Sequence, residues 1–193
     1  AELGDVLFVD TNGDGKLDSS DRCMIGNPIP DIIYGINMGM AWKGFDLNLQ
    51  FGGTIGNQIF NAMRYYTYFP NDITNKDRAL MNYWTPNNTN TDIPRLTATD
   101  VNDNDRFSDM YVESGTYFRL RNAQLGYTLP ASLTQRIKLQ KVRFYVSGQN
   151  LFTISSYSGM DPEVGQSSSL SRGIDYGIYP QNISFTGGIN VTF

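Results

Sequence analysis

Residues 10–21, DTNGDGKLDSSD, carry oxygen ligands at the spacing of an EF-hand calcium loop. Gly15 stands where the loop turns sharply, and Lys16 stands where a main-chain carbonyl is the ligand. The side-chain oxygens come from Asp10, Asn12, Asp14, Asp18 and Asp21. Hard oxygen donors suit Ca²⁺, and clustered carboxylates would repel one another without a cation. We therefore expect a structural calcium ion. Because aspartate at the last position reaches less far than glutamate, a metal-free loop of Asx turns is the alternative.

Most catalytic chemistry is excluded by composition. The 193-residue chain has no histidine and one cysteine, which rules out Ser-His-Asp and Cys-His catalysis and an internal disulfide. That cysteine, Cys23, is interpreted as a small buried residue. The net charge of −4 provides no basic surface for nucleic acid. No catalytic constellation stands out among the loop carboxylates, so we expect no enzyme.

Two further acidic stretches have simpler interpretations. Residues 99–105 lack the glycine and the spacing of a calcium loop, which favours a solvated loop. Residues 161–163, Asp-Pro-Glu, are interpreted as a turn. Aromatic side chains that could contact a substrate or a lid protein lie in long polar segments; they are Tyr65, Tyr66, Tyr68, Tyr83, Trp84 and Tyr157. Each one taken singly is more typical of loop packing or of an interface.

Hydrophobic alternation predicts the elements that position these side chains. From residue 34 to residue 51, apolar residues occupy every second position on either side of Lys43-Gly44, the pattern of a hairpin with a two-residue turn. A slip of one residue would destroy the match between the strands. The register set by this turn opposes Trp42 to Phe45, Met40 to Leu47, Met38 to Leu49 and Ile36 to Phe51.

The same alternation extends through the chain and defines an all-β fold class. The apolar positions change phase near Asn122, which predicts a β-bulge. A short additional strand is expected near residues 6–9. The long strands are predicted at about 32–43, 45–54, 116–129, 141–150 and 182–193.

Alternation alone leaves open which face of the strands is buried. A soluble sandwich would expose Lys and Glu on its polar face, whereas here that face is mainly Gly, Asn, Gln, Ser and Thr. An outer-membrane barrel turns apolar residues to lipid and polar residues to a lumen, with strands of about 9–11 residues. Connections also alternate between short (43–44, 130–140) and long (55–115, 151–181). This favours a membrane barrel with long extracellular loops and a periplasmic C-terminus.

Several motifs, in order along the chain, resemble one family. They are DTNGDGKLDSSDR, IGNPIPDIIYGINMGMAWKGFDLNLQFGGTIGNQIFN, YFRLRNAQLGYTLP, VRFYVSGQNLFTI, YSGMDPEV and GIDYGIYPQNISFTGGINVTF. Together, over residues 1–193, they resemble the C-terminal portion of SusC/RagA-type TonB-dependent outer-membrane transporters. The resemblance implies the C-terminal strands of a large, 22-stranded antiparallel transmembrane β-barrel, with the plug and the N-terminal strands outside this sequence. Residues 5–31 would then form an extracellular loop that carries the calcium site.

The resemblance also implies partners and a location. The protein would be an active transporter in the outer membrane of a Gram-negative cell, importing oligosaccharides or peptides with TonB-derived energy and a SusD-like lipoprotein lid. Its partners would be the rest of the same barrel, the lipid bilayer, that lipoprotein and the TonB complex, reached through the N-terminal part. Phe193 resembles the terminal signal that the barrel-assembly machinery recognises.

The unpaired edges of the outer strands indicate whether this chain can fold alone. Lipid cannot satisfy the backbone groups of an open sheet edge, so we expect the chain to belong to a larger assembly and not to fold alone. The alternative function is that of a secreted, calcium-stabilised β-sandwich that binds carbohydrate or acts in adhesion.

Overall fold

The structure is a computed structural model that describes residues 1–69, 75–97, 99–164 and 171–193. Within these ranges the strands are β1 (Ile32–Trp42), β2 (Phe45–Ile55), β3 (Gln58–Asn61), β4 (Val112–Ser114), β5 (Tyr117–Thr128), β6 (Lys141–Ser155), β7 (Ile174–Asp175) and β8 (Ser184–Thr192). The short helices are α1 (Ala62–Tyr68), α2 (Ala131–Thr134) and the 3₁₀ helices Ser19–Asp21, Arg78–Asn82, Asp109–Tyr111 and Gln135–Ile137. None of the helices in these ranges combines the length and the apolar character needed to cross a bilayer. The prediction of a chain built mainly from strands is confirmed.

The chain divides into two compact units. The sheet unit comprises Ile29–Asn57, Ser114–Glu163 and Tyr179–Phe193. Its five strands form an antiparallel sheet in the order β1-β2-β5-β6-β8. The loop unit comprises Ala1–Pro28, Gln58–Glu113 and Val164–Ile178. Its three strands form a small sheet in the order β4-β3-β7.

The β1–β2 hairpin has the predicted register. Trp42 lies opposite Phe45, and the apolar pairing continues along both strands to Ile36 and Phe51. Lys43 and Gly44 form the turn with φ values of 47° and 89°, both positive as a type I′ turn requires. Since side chains alternate between faces, this turn decides which face of both strands is apolar.

The register extends the apolar alternation across all five strands. On one face the rows of opposed side chains are Trp42–Phe45–Tyr127–Phe144–Ile189, Met40–Leu47–Leu125–Val146–Gly187 and Met38–Leu49–Ala123–Gly148–Phe185. Rings meet within these rows, since the Phe45 and Tyr127 centroids are 4.5 Å apart. Much of the face is exposed: Met40 is 66% and Phe185 74% accessible. In the part of the chain that the structure describes, this apolar face is not the interior of a sandwich.

The predicted change of phase near Asn122 is a β-bulge. In the pairing of β5 with β2, Leu120 lies opposite Phe51 and Asn122 opposite Gln50, so Arg121 is the extra residue. The pairing of β5 with β6 is irregular at the same level. Because of the bulge, apolar side chains stay on one face of the sheet and polar side chains on the other, both before and after Arg121. On the apolar face the Phe118 ring stacks on Phe51, with centroids 5.2 Å apart.

The loop unit is organised around a buried tyrosine. Tyr111 is 0% exposed, and the ring centroids of Phe60 and Tyr65 lie 5.7 and 5.2 Å from its own. Helix α1 begins after Asn61, whose side-chain oxygen accepts a hydrogen bond from the Arg64 backbone amide at 3.0 Å. This cap satisfies one of the free amides of the first turn and fixes the direction in which α1 presents Tyr65.

Two expectations from the sequence are wrong. Residues 6–9 form no strand. The Val6 amide donates to Asn104 Oδ1 at 2.8 Å, and Asn102 Nδ2 donates to the Val6 carbonyl at 2.9 Å, so side-chain amides satisfy the backbone in place of a neighbouring strand. Cys23 is exposed, not buried. In addition, β6 continues to Ser155, beyond its expected end near residue 150.

On the polar face of the sheet, an ion pair passes over a glycine. Gly126 in β5 lies between Asp46 of β2 and Tyr145 of β6. Arg143 Nε donates to Asp46 Oδ1 at 2.9 Å, so the pair links β2 to β6 across β5. A Cβ added at Gly126 would overlap the ends of both charged side chains. The missing side chain is therefore what allows the bridge.

We expect Gly126→Ala to displace this ion pair and to lower the free energy of unfolding by up to about 1 kcal/mol, because the displaced atoms are the ends of two flexible, partly exposed side chains. The measurement is thermal unfolding of the intact protein, followed by circular dichroism. Gly39→Ala is the matched control, because a Cβ there would lie 3.4 Å from Asn48 Oδ1, an ordinary contact. Equal destabilisation by the two variants would contradict the bridge as the cause.

Candidate functional site on the polar face of the sheet

Amides and hydroxyls line the middle of the polar face. Two neighbouring rows contain Gly39–Asn48–Gln124–Ser147–Thr186 and Asn37–Gln50–Asn122–Gln149–Ser184. Their polar side chains are uncharged, and both amides and hydroxyls can donate and accept hydrogen bonds. Among them is a shallow depression of about 260 Å³, bordered in part by Asn37, Asn48 and Gln50. Chemically this surface suits a solute rich in hydroxyl or peptide groups.

Four charged side chains meet on the same face. Arg119 is 2% exposed; its Nη2 donates to Asp161 Oδ1 at 2.6 Å and its Nη1 to Glu163 Oε2 at 2.8 Å. Its Nε donates to Thr153 Oγ1 at 2.8 Å. Arg121 Nη2 donates to the other Glu163 oxygen, Oε1, at 3.0 Å. A buried guanidinium is stable only where carboxylates balance its charge and oxygen atoms accept its hydrogen bonds, and Asp161, Glu163 and Thr153 do both for Arg119.

Asp161 is held from several directions. Its Oδ1 also accepts a hydrogen bond from the Glu163 amide at 2.8 Å, and its Oδ2 accepts one from the Gln181 amide at 3.0 Å. Burial acts to raise the pKa of Asp161, but these two amides and Arg119 outweigh it and bring the pKa below its ordinary value. The carboxylate is therefore ionised at neutral pH and available to balance the arginine.

The interpretation of residues 161–163 as a turn is incomplete. These residues attach the segment that follows β6 to the face of the sheet through Arg119 and Arg121. A signal for this exists in the sequence: β5 contains two arginines and no other charged residue, so they require carboxylate partners from elsewhere. The sequence does not show that Asp161 and Glu163 are those partners.

Residues 10–21 form an exposed loop in which carboxylates bind the loop's own backbone. Asp10 Oδ1 accepts a hydrogen bond from the Gly13 amide at 2.6 Å, and its Oδ2 accepts one from the Gly15 amide at 2.8 Å. Gly15 has a φ of 80°, the left-handed conformation that the predicted sharp turn requires. The first half of the loop is therefore tightly wound around Asp10.

The end of this loop folds back on its start. Asp21 Oδ1 accepts a hydrogen bond from the Thr11 amide, and its Oδ2 accepts one from the Asp18 amide, both at 2.9 Å. Asp18 in turn caps the 3₁₀ helix Ser19–Asp21. Across the described ranges, no three acidic side chains converge as a ready-made metal site. The donors of this loop are all oxygen atoms, which fits the chemistry of Ca²⁺, and calcium binding stays a prediction.

The six aromatic residues predicted as contact candidates differ in their surroundings. Tyr66 is 51% exposed. Tyr65 is half-buried and stacks on Phe107, with centroids 4.7 Å apart and ring planes 9° from parallel. Phe107 is 70% exposed and was not identified from the sequence, where nothing marks it among the other loop residues. Tyr157 is buried.

The remaining candidates make contacts within the loop unit. The Arg64 guanidinium lies 4.8 Å from the Tyr68 ring centroid. The Trp84 ring packs directly on Gly4, and Tyr83 is half-buried.

Phe193 is 83% exposed after the end of β8, and its role as an assembly signal stays a prediction.

Comparison with known proteins identifies relatives over the whole chain, although no family model matches it. The TonB-dependent receptor P3 of Formosa agariphila is 40% identical over 201 residues, covering 100% of this chain and 19% of that receptor. The TonB-dependent receptor SusC of Bacteroides thetaiotaomicron is 30% identical over 188 residues, covering 97% of this chain and 17% of SusC. The chain thus spans about a fifth of the length of the curated relatives it matches.

Solved structures agree with these relatives. A structure of the RagAB peptide transporter matches with a TM-score of 0.77 and 29% identity, covering 92% of this chain and 19% of that chain. The open-open state of the RagAB peptide importer matches with a TM-score of 0.72 and 32% identity, covering 86% and 17%. Fold and sequence together match one stretch of TonB-dependent receptors. Within that class, the chain fits a C-terminal portion of a SusC/RagA-type receptor.

We expect Arg119→Met to destabilise the receptor by about 3–5 kcal/mol, because it leaves Asp161 buried without its ionic partner. Thermal unfolding of the intact receptor in detergent measures the loss, and limited proteolysis tests whether residues 156–164 are released from the sheet. Arg106→Met is the control: its pair with Asp103 is exposed, at 3.0 Å, and contributes about 0–1 kcal/mol. If both variants unfold at the parent temperature, the buried cluster has no stabilising role.

Proposed function

We propose that this chain supplies the C-terminal strands of a 22-stranded transmembrane β-barrel in an outer-membrane active transporter. The transporter imports oligosaccharides or peptides, is covered by a SusD-like lipoprotein lid and is driven by TonB-derived energy; no enzymatic role is proposed. One observation carries the proposal: the five-stranded sheet of a SusC/RagA-type chain has a broad apolar face that is exposed, with Met40 at 66% and Phe185 at 74%.

Lipid contact accounts for this face. In water, exposed apolar rows of this width would drive burial against another layer, whereas in a bilayer they need no cover. One row contains Trp42, Phe45 and Tyr127 beside the hairpin turn, where an interfacial aromatic girdle would lie. The strands β1 and β8 end the five-strand order, so the remaining barrel strands are the partners that would satisfy their outer edges.

The connections support an orientation. Only Lys43 and Gly44 separate β1 from β2, whereas long segments separate β2 from β5 and β6 from β8. Barrels of this kind have short periplasmic turns and long extracellular loops. The proposal therefore places residues 55–115 and 151–181 outside the cell and the hairpin turn in the periplasm.

The polar face would line the lumen. Its rows of amides and hydroxyls offer hydrogen bonds to the hydroxyl groups of a glycan or to the peptide groups of an oligopeptide, and both substrate classes stay within the proposal. Tyr66, Tyr65 and Phe107 form an aromatic surface that fits the face of a sugar ring or a contact with the lid. Binding assays with the complete transporter and its lid protein would distinguish glycan from peptide.

Cysteine labelling tests the assignment of the two faces. Met40 and Ala41 are adjacent in β1, are both exposed and point to opposite faces. In a complete receptor with Cys23→Ser, which removes the exposed native thiol, we expect Met40→Cys to react with a lipid-soluble maleimide and to resist a charged one. Ala41→Cys should show the reverse preference. Reaction of both positions with the charged reagent, in receptor reconstituted into vesicles, would exclude a lipid-facing apolar surface.

A structural Ca²⁺ ion in residues 10–21 is part of the proposal. Its oxygen ligands would come from Asp10, Asn12, Asp14, Asp18, Asp21 and the Lys16 carbonyl. The left-handed Gly15 and the all-oxygen donor set support this assignment. The ion would neutralise the clustered carboxylates of a segment whose apolar side chains are poorly covered, since Leu7 is 83% and Met24 89% exposed.

Chelation should therefore loosen this segment and leave the barrel intact. In the complete receptor we expect a calcium chelator to increase hydrogen exchange of residues 5–31 and to leave exchange in β1, β2, β5 and β6 unchanged. Asp14→Asn should reproduce the effect without chelator, while Asp92→Asn, a change at another exposed loop aspartate, should not. Global unfolding on chelation, or no change in exchange, would contradict a structural ion in this loop.

A further inference from the structure

Unpaired basic side chains lie at the short-turn end of the sheet unit, the end that carries the hairpin turn and the connection 130–140 between β5 and β6. Residues 114–160 contain six arginines and lysines and no aspartate or glutamate, although the net charge of the chain is −4. Three of the six are the paired arginines of the polar face. Arg136 and Lys138, in the connection, are exposed and form no ion pair with any residue that the structure describes.

Lys43, in the hairpin turn, presents its charge on the apolar side of the sheet. Its Nζ lies 4.8 Å from the centroid of the Trp42 ring, and Trp42 is 70% exposed in the apolar row beside the turn. An ammonium group on an aromatic face is stabilised by the ring quadrupole. Lys141 differs, because it lies two residues before Arg143 in β6 and therefore shares the polar face with it. At the same end of the sheet, the two lysines thus lie on opposite faces.

The connection is held beyond the aromatic row at both of its ends. The Leu129 amide donates to the Val142 carbonyl at 2.9 Å, and the Gln140 amide donates to the Thr192 carbonyl at 2.9 Å. Both bonds lie further along the strands than the row of aromatic side chains beside the hairpin turn. In the proposed bilayer, where that row marks the interface, the connection would lie at the depth of the lipid head groups.

The connection also presents an exposed apolar side chain. Helix α2 packs against β6, and its Thr134 is 1% exposed. Leu133, the preceding residue, is 52% exposed. The connection is thus folded onto the sheet, and it exposes a leucine close in sequence to the two unpaired cations. An exposed apolar side chain among cations is typical of segments that lie in a membrane interface.

A lipid leaflet suits this arrangement because its charge is spread over a plane. The phosphates of neighbouring head groups form a continuous layer, so the cations need only reach the same depth and need not converge on one point. Lysine and arginine have long aliphatic stems, which let the charged end reach this layer while the stem stays at the apolar surface. The five strands of the sheet contain one acidic side chain, Asp46, and it is paired with Arg143. Little repulsion of phosphate is therefore expected at this end.

We propose that Lys43, Arg136 and Lys138 bind the head groups of anionic phospholipids in the leaflet that borders the short-turn end. This inference rests on the proposed function, which places the sheet in the outer membrane with that end toward the periplasm. Phospholipid satisfies both parts of the surface, since its phosphate meets the cations and its acyl chains meet Trp42 and Leu133. Bound head groups would fix the depth of the sheet in the bilayer and would keep α2 at the membrane surface.

Local fluorescence quenching by lipid tests this surface. The complete receptor, with Cys23→Ser and a fluorophore on Ser132→Cys, is reconstituted into phosphatidylcholine vesicles; Ser132 is exposed in α2. The vesicles contain a small fraction of a lipid that is spin-labelled near its head group and is either phosphatidylglycerol or phosphatidylcholine. At equal mole fraction we expect phosphatidylglycerol to quench at least about threefold more strongly, since each cation near a surface attracts anionic lipid by up to about fivefold.

Removal of the charges should abolish this preference. We expect the triple variant Lys43→Gln, Arg136→Gln and Lys138→Gln to bring the quenching ratio of the two lipids close to one, and high salt to lower the ratio in the parent. Lys141→Gln, the same substitution on the polar face, is the matched control and should leave the ratio near its parent value. Lys138→Arg keeps the charge and should keep the ratio.

Each remaining outcome decides against the proposal. Equal quenching by the two lipids in the parent, or a ratio that survives the triple variant, would exclude an anionic-lipid site and leave the membrane assignment intact. An equal fall in Lys141→Gln and in the triple variant would mean that net charge, and not this surface, sets the ratio. Quenching by neither lipid would contradict the membrane assignment as well. Circular dichroism verifies that each variant folds, and Lys138→Gln alone is measured if the triple variant does not.

Discussion

The antiparallel register of the five-stranded sheet is the constraint on which the rest of the sheet unit depends. It is set where Lys43 and Gly44 turn the chain, and the ladder carries it through β5 and β6 to β8. Because side chains alternate between faces, one pairing decides which residues are apolar neighbours and which are polar neighbours along every strand. The bulge at Arg121 adds one residue to β5 relative to β2. This shift keeps apolar side chains on one face and polar side chains on the other along the whole of β5.

The two units illustrate different ways of ordering a chain. The sheet unit combines a long backbone ladder with large exposed apolar rows, which suits a surrounding that is itself apolar. The loop unit uses a small aromatic core and many polar contacts between distant segments, such as the 2.7 Å pair between Arg95 and Asp5. It thus combines buried apolar side chains, among them Ile59, Leu80 and Ile93, with charge pairs and hydrogen bonds.

Sequence reasoning succeeded where the deciding interactions are local or periodic. The hairpin, its register and the bulge near Asn122 could be predicted, because turn chemistry and alternation are written in neighbouring residues. It failed where partners are far apart along the chain: Arg119 meets Asp161 across 42 positions, and Val6 meets Asn104 across 98. The apolar residues near Val6 resemble a strand, but nothing in their own pattern reveals that asparagine side chains will bind their backbone.

The arginines of the sheet have a consequence for what passes near its polar face. Arg119, Arg121 and Arg143 are each paired with a carboxylate on the same face. A compensated pair produces a dipolar field, which decays with distance much faster than the field of a single charge. A molecule moving along the amide rows is therefore neither drawn in nor repelled over long range by these groups. If this surface lines the proposed passage, discrimination there would depend on the shape and the hydrogen-bonding pattern of the solute at contact.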